Sequence, residues 1–201
     1  GLWVREDNRA ADYKKLDVWV DLAKLLERGK FDALFLADVV GVYDVFNGDR
    51  EAAARTATQL PVNDPMLLVP AMAHATEHLG FGFTSGMMQY PPFSFARLIS
   101  TLDFITDGRI AWNIVTSYLE SAARAYGMEG LPDHDERYEI ADEYCEAVYK
   151  LWEASWADDA VVKDRDQGIY SNPERILNVN HNGKHFTVNG CHLTEPSPQR
   201  T

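Results

Sequence analysis

Three short apolar segments, each closed by polar side chains and separated by stretches of helical periodicity, constrain this chain more than any other feature. Phe31-Asp32-Ala33-Leu34-Phe35-Leu36-Ala37 ends at Asp38, and Leu79-Gly80-Phe81-Gly82-Phe83 ends at Thr84-Ser85. The third, Ile110-Ala111-Trp112-Asn113-Ile114-Val115, runs into Thr116-Ser117. Before the first, Leu16, Trp19, Leu22, Ala23 and Leu26 recur at spacings of three and four, which predicts a helix over 12–28 that Gly29 can end. Asp64-Pro65 supplies an N-cap and a first-turn proline for a helix reaching about residue 78. Phe95, Leu98, Ile99, Leu102 and Ile105 mark another over 94–106, closed by Asp107-Gly108.

Strands that are apolar on both faces and separated by single helices form parallel sheets covered by helices. A doubly wound sheet that binds nucleotide announces itself with a glycine-rich first turn, and neither GxGxxG nor GxxxxGK[ST] occurs. A (β/α)₈ barrel instead gathers its functional residues from the carboxyl ends of several strands, which is the arrangement of Asp38, Thr84 and Asn113. Further along, Asp135 is placed to cap a helix whose Tyr138, Ala141, Cys145, Val148 and Trp152 form a stripe. Asn182-Gly183, between Val179-Asn180-His181 and Phe186-Thr187-Val188, predicts a β-hairpin. The polar, weakly patterned stretch 158–172 reads as a surface excursion, so 158–194 is expected to be an insertion within one domain spanning 1–201.

Composition narrows the partners. Lys and Arg number 19 against 31 acids, a formal charge of −12, so most of the surface repels a polyanion and nucleic acid is not an expected partner. Only Cys145 and Cys191 are present, without CxxC spacing, which points to a reducing, cytoplasmic setting and to no thiolate zinc site. No apolar run approaches the roughly 20 residues that cross a bilayer, so no membrane span is expected.

The chain resembles the flavin-dependent monooxygenases of the bacterial luciferase-like superfamily, in particular the nitrilotriacetate and dibenzothiophene-sulfone monooxygenase group. The resemblance rests on the order and spacing of 31–38, Asn63-Asp64-Pro65, Thr76-Glu77-His78-Leu79-Gly80, Ser100-Thr101-Leu102-Asp103 and Gly108-Arg109 with 112–117. It continues through His134-Asp135-Glu136-Arg137-Tyr138, Leu151-Trp152 and Gly183-Lys184-His185-Phe186. It implies a (β/α)₈ TIM barrel that binds reduced FMN, uses O2 and oxygenates a small organic substrate, with a separate NAD(P)H:flavin reductase supplying the reduced flavin. By position it places flavin contacts on Asp38, Thr84, His134 and Tyr138, with Asn113 a further neighbour of the ring. It assigns no catalytic residue and no metal ligand.

Members of that group are about twice as long, because a full barrel takes about 250 residues before insertions. Gly1-Leu2-Trp3 resembles a point just after the first strand and Ser197-Pro198-Gln199 the lead into the fifth. The chain is therefore expected to be an amino-terminal portion of the barrel, about strands 2–4 with their helices plus the hairpin insertion. The full-length enzyme is expected to be a homo-oligomer.

Each candidate also has a plainer reading. Polar residues at strand ends often cap helices or fix loops, Tyr138 fits a core position, and Trp112, Trp152 and Trp156 read as packing residues. Arg97 and Arg109 carry the charge a carboxylated substrate needs, but Arg109, at a strand's start, belongs on the rim opposite the active site. Two other functions compete. An inactive half-barrel serving as a binding or assembly module would need its sheet edges covered. His74-Ala75-Thr76-Glu77-His78 spells HxxEH, in which two histidines one helical turn apart hold zinc in hydrolases.

Overall fold

A computed structural model describes residues 2–201. In chain order the helices and strands are α1 (Leu16–Arg28), β1 (Ala33–Leu36), α2 (Glu51–Thr56), α3 (Val69–His74), β2 (Gly80–Gly86), α4 (Pro92–Thr106), β3 (Ile110–Val115) and α5 (Glu120–Ala125). There follow α6 (His134–Ala154), β4 (Val161–Asp164), β5 (Ile169–Ser171), β6 (Val179–Asn182) and β7 (Thr187–Gly190). The chain divides into two compact units. One runs to Gln89 and takes in Arg109–Pro132; the other holds Tyr90–Gly108 and Asp133–Thr201.

The first unit is built on a parallel sheet of order β1-β2-β3. Its register sets Phe35 beside Gly82 and Ala111, Leu36 beside Phe83 and Trp112, and Thr84 beside Asn113. Side chains alternate across a strand, so Phe35, Gly82, Ala111, Thr84 and Asn113 share one face and Leu36, Phe81 and Phe83 the other. Phe81 and Phe83 are fully buried, whereas Phe35 is 58% exposed. Gly82 lies beneath it, where an added Cβ would stand 3.3 Å from the Phe35 ring.

Helix α1 starts at Leu16, the first residue of its apolar stripe and later than the expected start at residue 12. The Asn8 side chain accepts the Ala10 amide at 2.8 Å, and the Tyr13 carbonyl is taken by Trp19 Nε1 at 2.7 Å and Asn63 Nδ2 at 2.8 Å, so the preceding turns are held outside the helix. The helix expected over 64–78 breaks in two. Asp64 does accept the Met66 amide at 2.9 Å, but the first piece is a 3₁₀ turn, Pro65–Leu67. Pro70 has no N–H to continue a hydrogen-bond ladder, so α3 restarts at Val69. It ends at His74, where Glu27 Oε1 accepts the amides of Glu77, His78 and Leu79 at 2.9, 2.6 and 3.1 Å and pulls them into the approach to β2.

In the second unit α4 packs on α6. Phe95 and Tyr144 meet with ring centroids 5.9 Å apart, and Trp152 Nε1 donates to the Ala96 carbonyl at 3.1 Å. Helix α6 begins at His134 after Asp133, one residue before Asp135 could cap it. Its buried stripe is Ala141, Tyr144, Val148, Leu151 and Trp152, while Tyr138 is 53% exposed, so the plainer reading of Tyr138 as core does not hold. Stretch 158–172 contains the antiparallel pair β4-β5. The β-hairpin expected at Asn182-Gly183 forms as β6-β7, with Asn182 paired with Thr187 and a four-residue loop, 183–186, between them. The cause is tertiary: the Glu143 carboxylate on α6 accepts the amides of His185 at 3.0 Å and Phe186 at 2.7 Å. An added Cβ on Gly183 would collide with that carboxylate.

Candidate active site

A cavity of about 240 Å³ opens at the carboxyl ends of β1, β2 and β3 in the first unit, and Asp38, Thr84 and Asn113 all line it. Parallel strands finish on the same side of a sheet, which is why residues 29 to 75 positions apart meet there. Thr84 and Asn113 are direct neighbours in the β2-β3 register, and Asn113 Nδ2 donates to Thr84 Oγ1 at 3.0 Å. Accepting in this bond, the Thr84 hydroxyl keeps its own proton for another acceptor.

Asp38 is held by Gln89, a residue the sequence does not single out. Gln89 Oε1 accepts from the Gly86 amide and from Ser85 Oγ, both at 2.7 Å. An amide N–H can only donate, so this fixes the side-chain orientation and turns Gln89 Nε2 toward Asp38 Oδ2, 3.2 Å away. Burial raises the Asp38 pKa above the ordinary carboxylate value; the Gln89 bond opposes that shift and the charge of Asp64 adds to it. Tyr126 belongs to the same group: burial and then the Asp38 charge raise its pKa, against a hydrogen bond to Gln89.

The loop after Asp38 is strapped to α5. Ser121 Oγ donates to the Val42 carbonyl and accepts from the Val42 amide, both at 2.9 Å. Gly41, at φ +120°, makes the close approach possible, since a Cβ there would lie 2.9 Å from Ser121 Oγ. The strap brings Tyr43 to Tyr118, whose hydroxyls are hydrogen-bonded, and this bond first, with burial second, pushes the Tyr118 pKa up to about 12. Val39, Val40, Val115 and Leu119 complete an otherwise apolar lining.

His134 and Tyr138 lie in the second unit, in the first turns of α6. Their ring centroids are 5.0 Å apart, and His134 Nδ1 is 2.8 Å from Asp135 Oδ1. Arg109 sits at the amino end of β3, where it donates to the carbonyls of Ala73 at 2.7 Å and Leu79 at 3.0 Å and to Thr76 Oγ1 at 3.1 Å. It ties the rim opposite the cavity. The HxxEH stretch is not a helical turn, because α3 ends at its first histidine and Glu27 takes the amides that would continue it. Among the described residues no three His, Cys, Asp or Glu side chains are grouped to hold a metal ion, and no helix is long and apolar enough to cross a membrane.

Parallel strands joined through helices, with polar side chains converging past their carboxyl ends, define a segment of a (β/α)₈ barrel bearing its functional rim. The chain belongs to the luciferase-like monooxygenase family, whose profile matches residues 3–201. It is 54% identical over its whole length to a long-chain alkane monooxygenase of Geobacillus thermodenitrificans (strain NG80-2), covering 46% of that protein. It is 53% identical to a dimethyl-sulfide monooxygenase of Hyphomicrobium sulfonivorans, again over the whole chain and covering 42% of the relative. A crystal structure of a riboflavin lyase with modified FMN and riboflavin superposes with a TM-score of 0.92 at 38% identity, over 99% of this chain and 44% of that one. The chain thus spans less than half the length of these relatives, and its fold is part of a luciferase-like barrel.

Proposed function

We propose that the protein is a two-component monooxygenase that uses reduced FMN and O2 to insert one oxygen atom into a small organic substrate, and that this chain builds one wall of the flavin site. The carrying observation is the convergence of Asp38, Thr84 and Asn113, from three different strands, on one cavity. The relatives support it: two are named monooxygenases, and the riboflavin lyase was solved with modified FMN.

The residues suit an isoalloxazine ring. Gly86 borders the cavity beside the polar groups of Asp38, Thr84 and Asn113. Thr84 and Gln89 can donate to ring carbonyl oxygens, and Asn113 and Asp38 can accept from ring N–H groups. The volume, about 240 Å³, falls just below the roughly 300–1,000 Å³ of complete ligand pockets, as expected of one wall. The lining holds no Lys, Arg or His to meet a phosphate, so that group would be bound elsewhere.

Reduced FMN, when bound, supplies the electrons and the position at which O2 is activated. This chain's residues position and exclude. The Asn113–Thr84 and Gln89–Asp38 pairs fix the polar edge, and the valines, Leu119 and the strapped 39–43 loop keep water away from a site where water would divert the oxygen to peroxide. His134 and Tyr138 are assigned to the flavin by family position, a separate flavin reductase is the electron-supplying partner, the whole enzyme is a cytoplasmic homo-oligomer, and 158–194 is an insertion in the barrel. The test is FMN titration of the protein by fluorescence quenching, followed by turnover with reduced FMN on alkanes, sulfides, sulfones and aminopolycarboxylates. Micromolar or tighter FMN binding by the full-length enzyme, lost in Asp38→Ala and Asn113→Ala, together with feeble binding and little turnover by residues 1–201 alone, supports the reading; absence of FMN binding by the full-length enzyme refutes it and favours the assembly module.

A further inference from the structure

We propose that Asn47-Gly48, in the loop between β1 and α2, is a site of spontaneous covalent modification: in the folded protein Asn47 converts to isoaspartate and aspartate, while the other two Asn-Gly pairs, Asn182-Gly183 and Asn189-Gly190, are kept intact by the β6-β7 hairpin. The inference rests on the fold and holds whether or not the protein binds flavin. The reaction needs no catalyst and only water as co-reactant. The backbone nitrogen of the glycine attacks the asparagine Cγ; an N–Cγ bond forms, the Cγ–Nδ2 bond breaks, and the nitrogen's proton leaves with the amide as ammonia. Water then opens the cyclic imide at either carbonyl, so asparagine and water become isoaspartate or aspartate and ammonia, with nothing oxidised or reduced. Glycine in second place leaves the attacking nitrogen uncrowded. What the fold controls is whether the asparagine can rotate to bring its Cγ onto that nitrogen.

Chain order presents the three pairs as equals, and all three asparagines are exposed, so backbone restraint separates them. In the hairpin Asn182 pairs with Thr187 and Asn189 with Asn180, and turning either residue breaks the ladder. The nitrogen that would attack Asn182 is already engaged: the Gly183 amide donates to the Phe186 carbonyl at 2.9 Å, and the Glu143 carboxylate crowds Gly183. The Asn189 side chain is tied too, with Nδ2 3.4 Å from Asn182 Oδ1. Asn47 is under none of these restraints. It sits in the 3₁₀ turn Phe46–Gly48 at a left-handed φ of 58° and ψ of 9°. Gly48 follows at φ +72°, and an added Cβ there would meet no atom within 4 Å. The Asp49 amide closes the turn on the Phe46 carbonyl at 3.4 Å, beyond the usual length of such a bond. Rotation at Asn47 therefore disturbs a long turn bond, whereas rotation at Asn182 or Asn189 requires the hairpin to open. The product adds a carboxylate to the exposed end of the loop and, in its isoaspartyl form, a methylene to the main chain.

The test incubates the protein at pH 7.5 in isotopically labelled water, folded and in urea, and follows the three Asn-Gly peptides by protease digestion and mass spectrometry, with isoaspartate resolved by fragmentation. In the folded protein the Asn47 peptide is expected to convert at least about tenfold faster than the Asn182 and Asn189 peptides and to take up solvent oxygen. In urea, where the hairpin no longer restrains its pairs, the three rates should come within about threefold of one another. Gly48→Ala places a methyl group beside the attacking nitrogen and should slow conversion at Asn47 by about tenfold while leaving the other two peptides unchanged. An Asn47 that stays intact in the folded protein, an Asn182 or Asn189 that converts as fast, or a conversion at Asn47 that Gly48→Ala does not slow would overturn the proposal. The same ranking in urea as in the fold would overturn it as well, since sequence neighbours and not the hairpin would then set the rates.

Discussion

Acidification should destabilise the protein through a buried histidine of the second unit, and the size of the effect follows from its surroundings. His192 is 3% exposed. Its Nε2 lies 2.9 Å from Ser100 Oγ and is also bonded to Thr194 Oγ1, while its backbone amide donates to Ser155 Oγ at 2.7 Å and Nδ1 is buried without a hydrogen-bond partner. The nearby charges are engaged: Glu195 with Lys163 at 3.2 Å, Arg200 with Asp158. No carboxylate is left to receive an imidazolium, and burial lowers the His192 pKa from 6.5 to about 4. The folded state therefore keeps His192 neutral while the unfolded chain takes up a proton below pH 6.5. Stability is full above that value, is lost as pH falls from 6.5 towards 4, and loses nothing more from this group below 4. A shift of about 2.5 units caps the loss at about 3.4 kcal/mol, of which about 2 kcal/mol is reached at pH 5. The assay is urea unfolding of wild type and His192→Gln at several pH values between 7.5 and 4.5. Glutamine does not titrate, so the stability gap between the two proteins should move by about 2 kcal/mol in the variant's favour between pH 7.5 and 5. Parallel pH profiles would show that His192 is protonated in the fold and that its environment has been misread.

Other perturbations probe the cavity and the hairpin. Gly41→Ala forces a Cβ towards Ser121 Oγ at a φ of +120°, and should cost about 1–3 kcal/mol in thermal unfolding and weaken FMN binding by loosening the 39–43 strap; an unchanged melting temperature would contradict it. Gln89→Leu leaves the Gly86 amide and the Ser85 hydroxyl without their acceptor and frees Asp38, so FMN affinity should fall about tenfold; Gln89→Glu, which keeps the acceptor but opposes Asp38, should raise the Asp38 pKa in a carboxyl-carbon NMR titration. The Glu143 pKa is lowered overall, since the amides of Phe186 and His185 and the His181 side chain outweigh the burial that opposes them. Glu143→Ala should therefore release the His185 and Phe186 amides to hydrogen exchange while leaving FMN affinity within twofold; continued protection would refute Glu143 as the anchor of the loop.

The alternation of helical stripes with apolar strands, the end of each strand in a polar residue and the extent of β3 were legible from residue order, because each is a local property: period, capping and turn chemistry are properties of a few consecutive residues. That is also why Asp38, Thr84 and Asn113 could be named, each being a polar group at or just past the carboxyl end of an apolar strand. The order did not reveal that α3 would stop at His74 or what would anchor the hairpin loop. In both places a distant carboxylate, Glu27 or Glu143, captures backbone amides, and nothing near the affected residues signals it. Gln89 was illegible for the same reason, since its role is a bridge between Gly86 and Asp38, 51 positions away. Sequence alone determined which segments become strands and helices and which polar groups end them. Only the tertiary structure decided which of those groups share a cavity, how each is oriented and what field they set, because hydrogen bonds and charges act through space between residues that chain order leaves far apart.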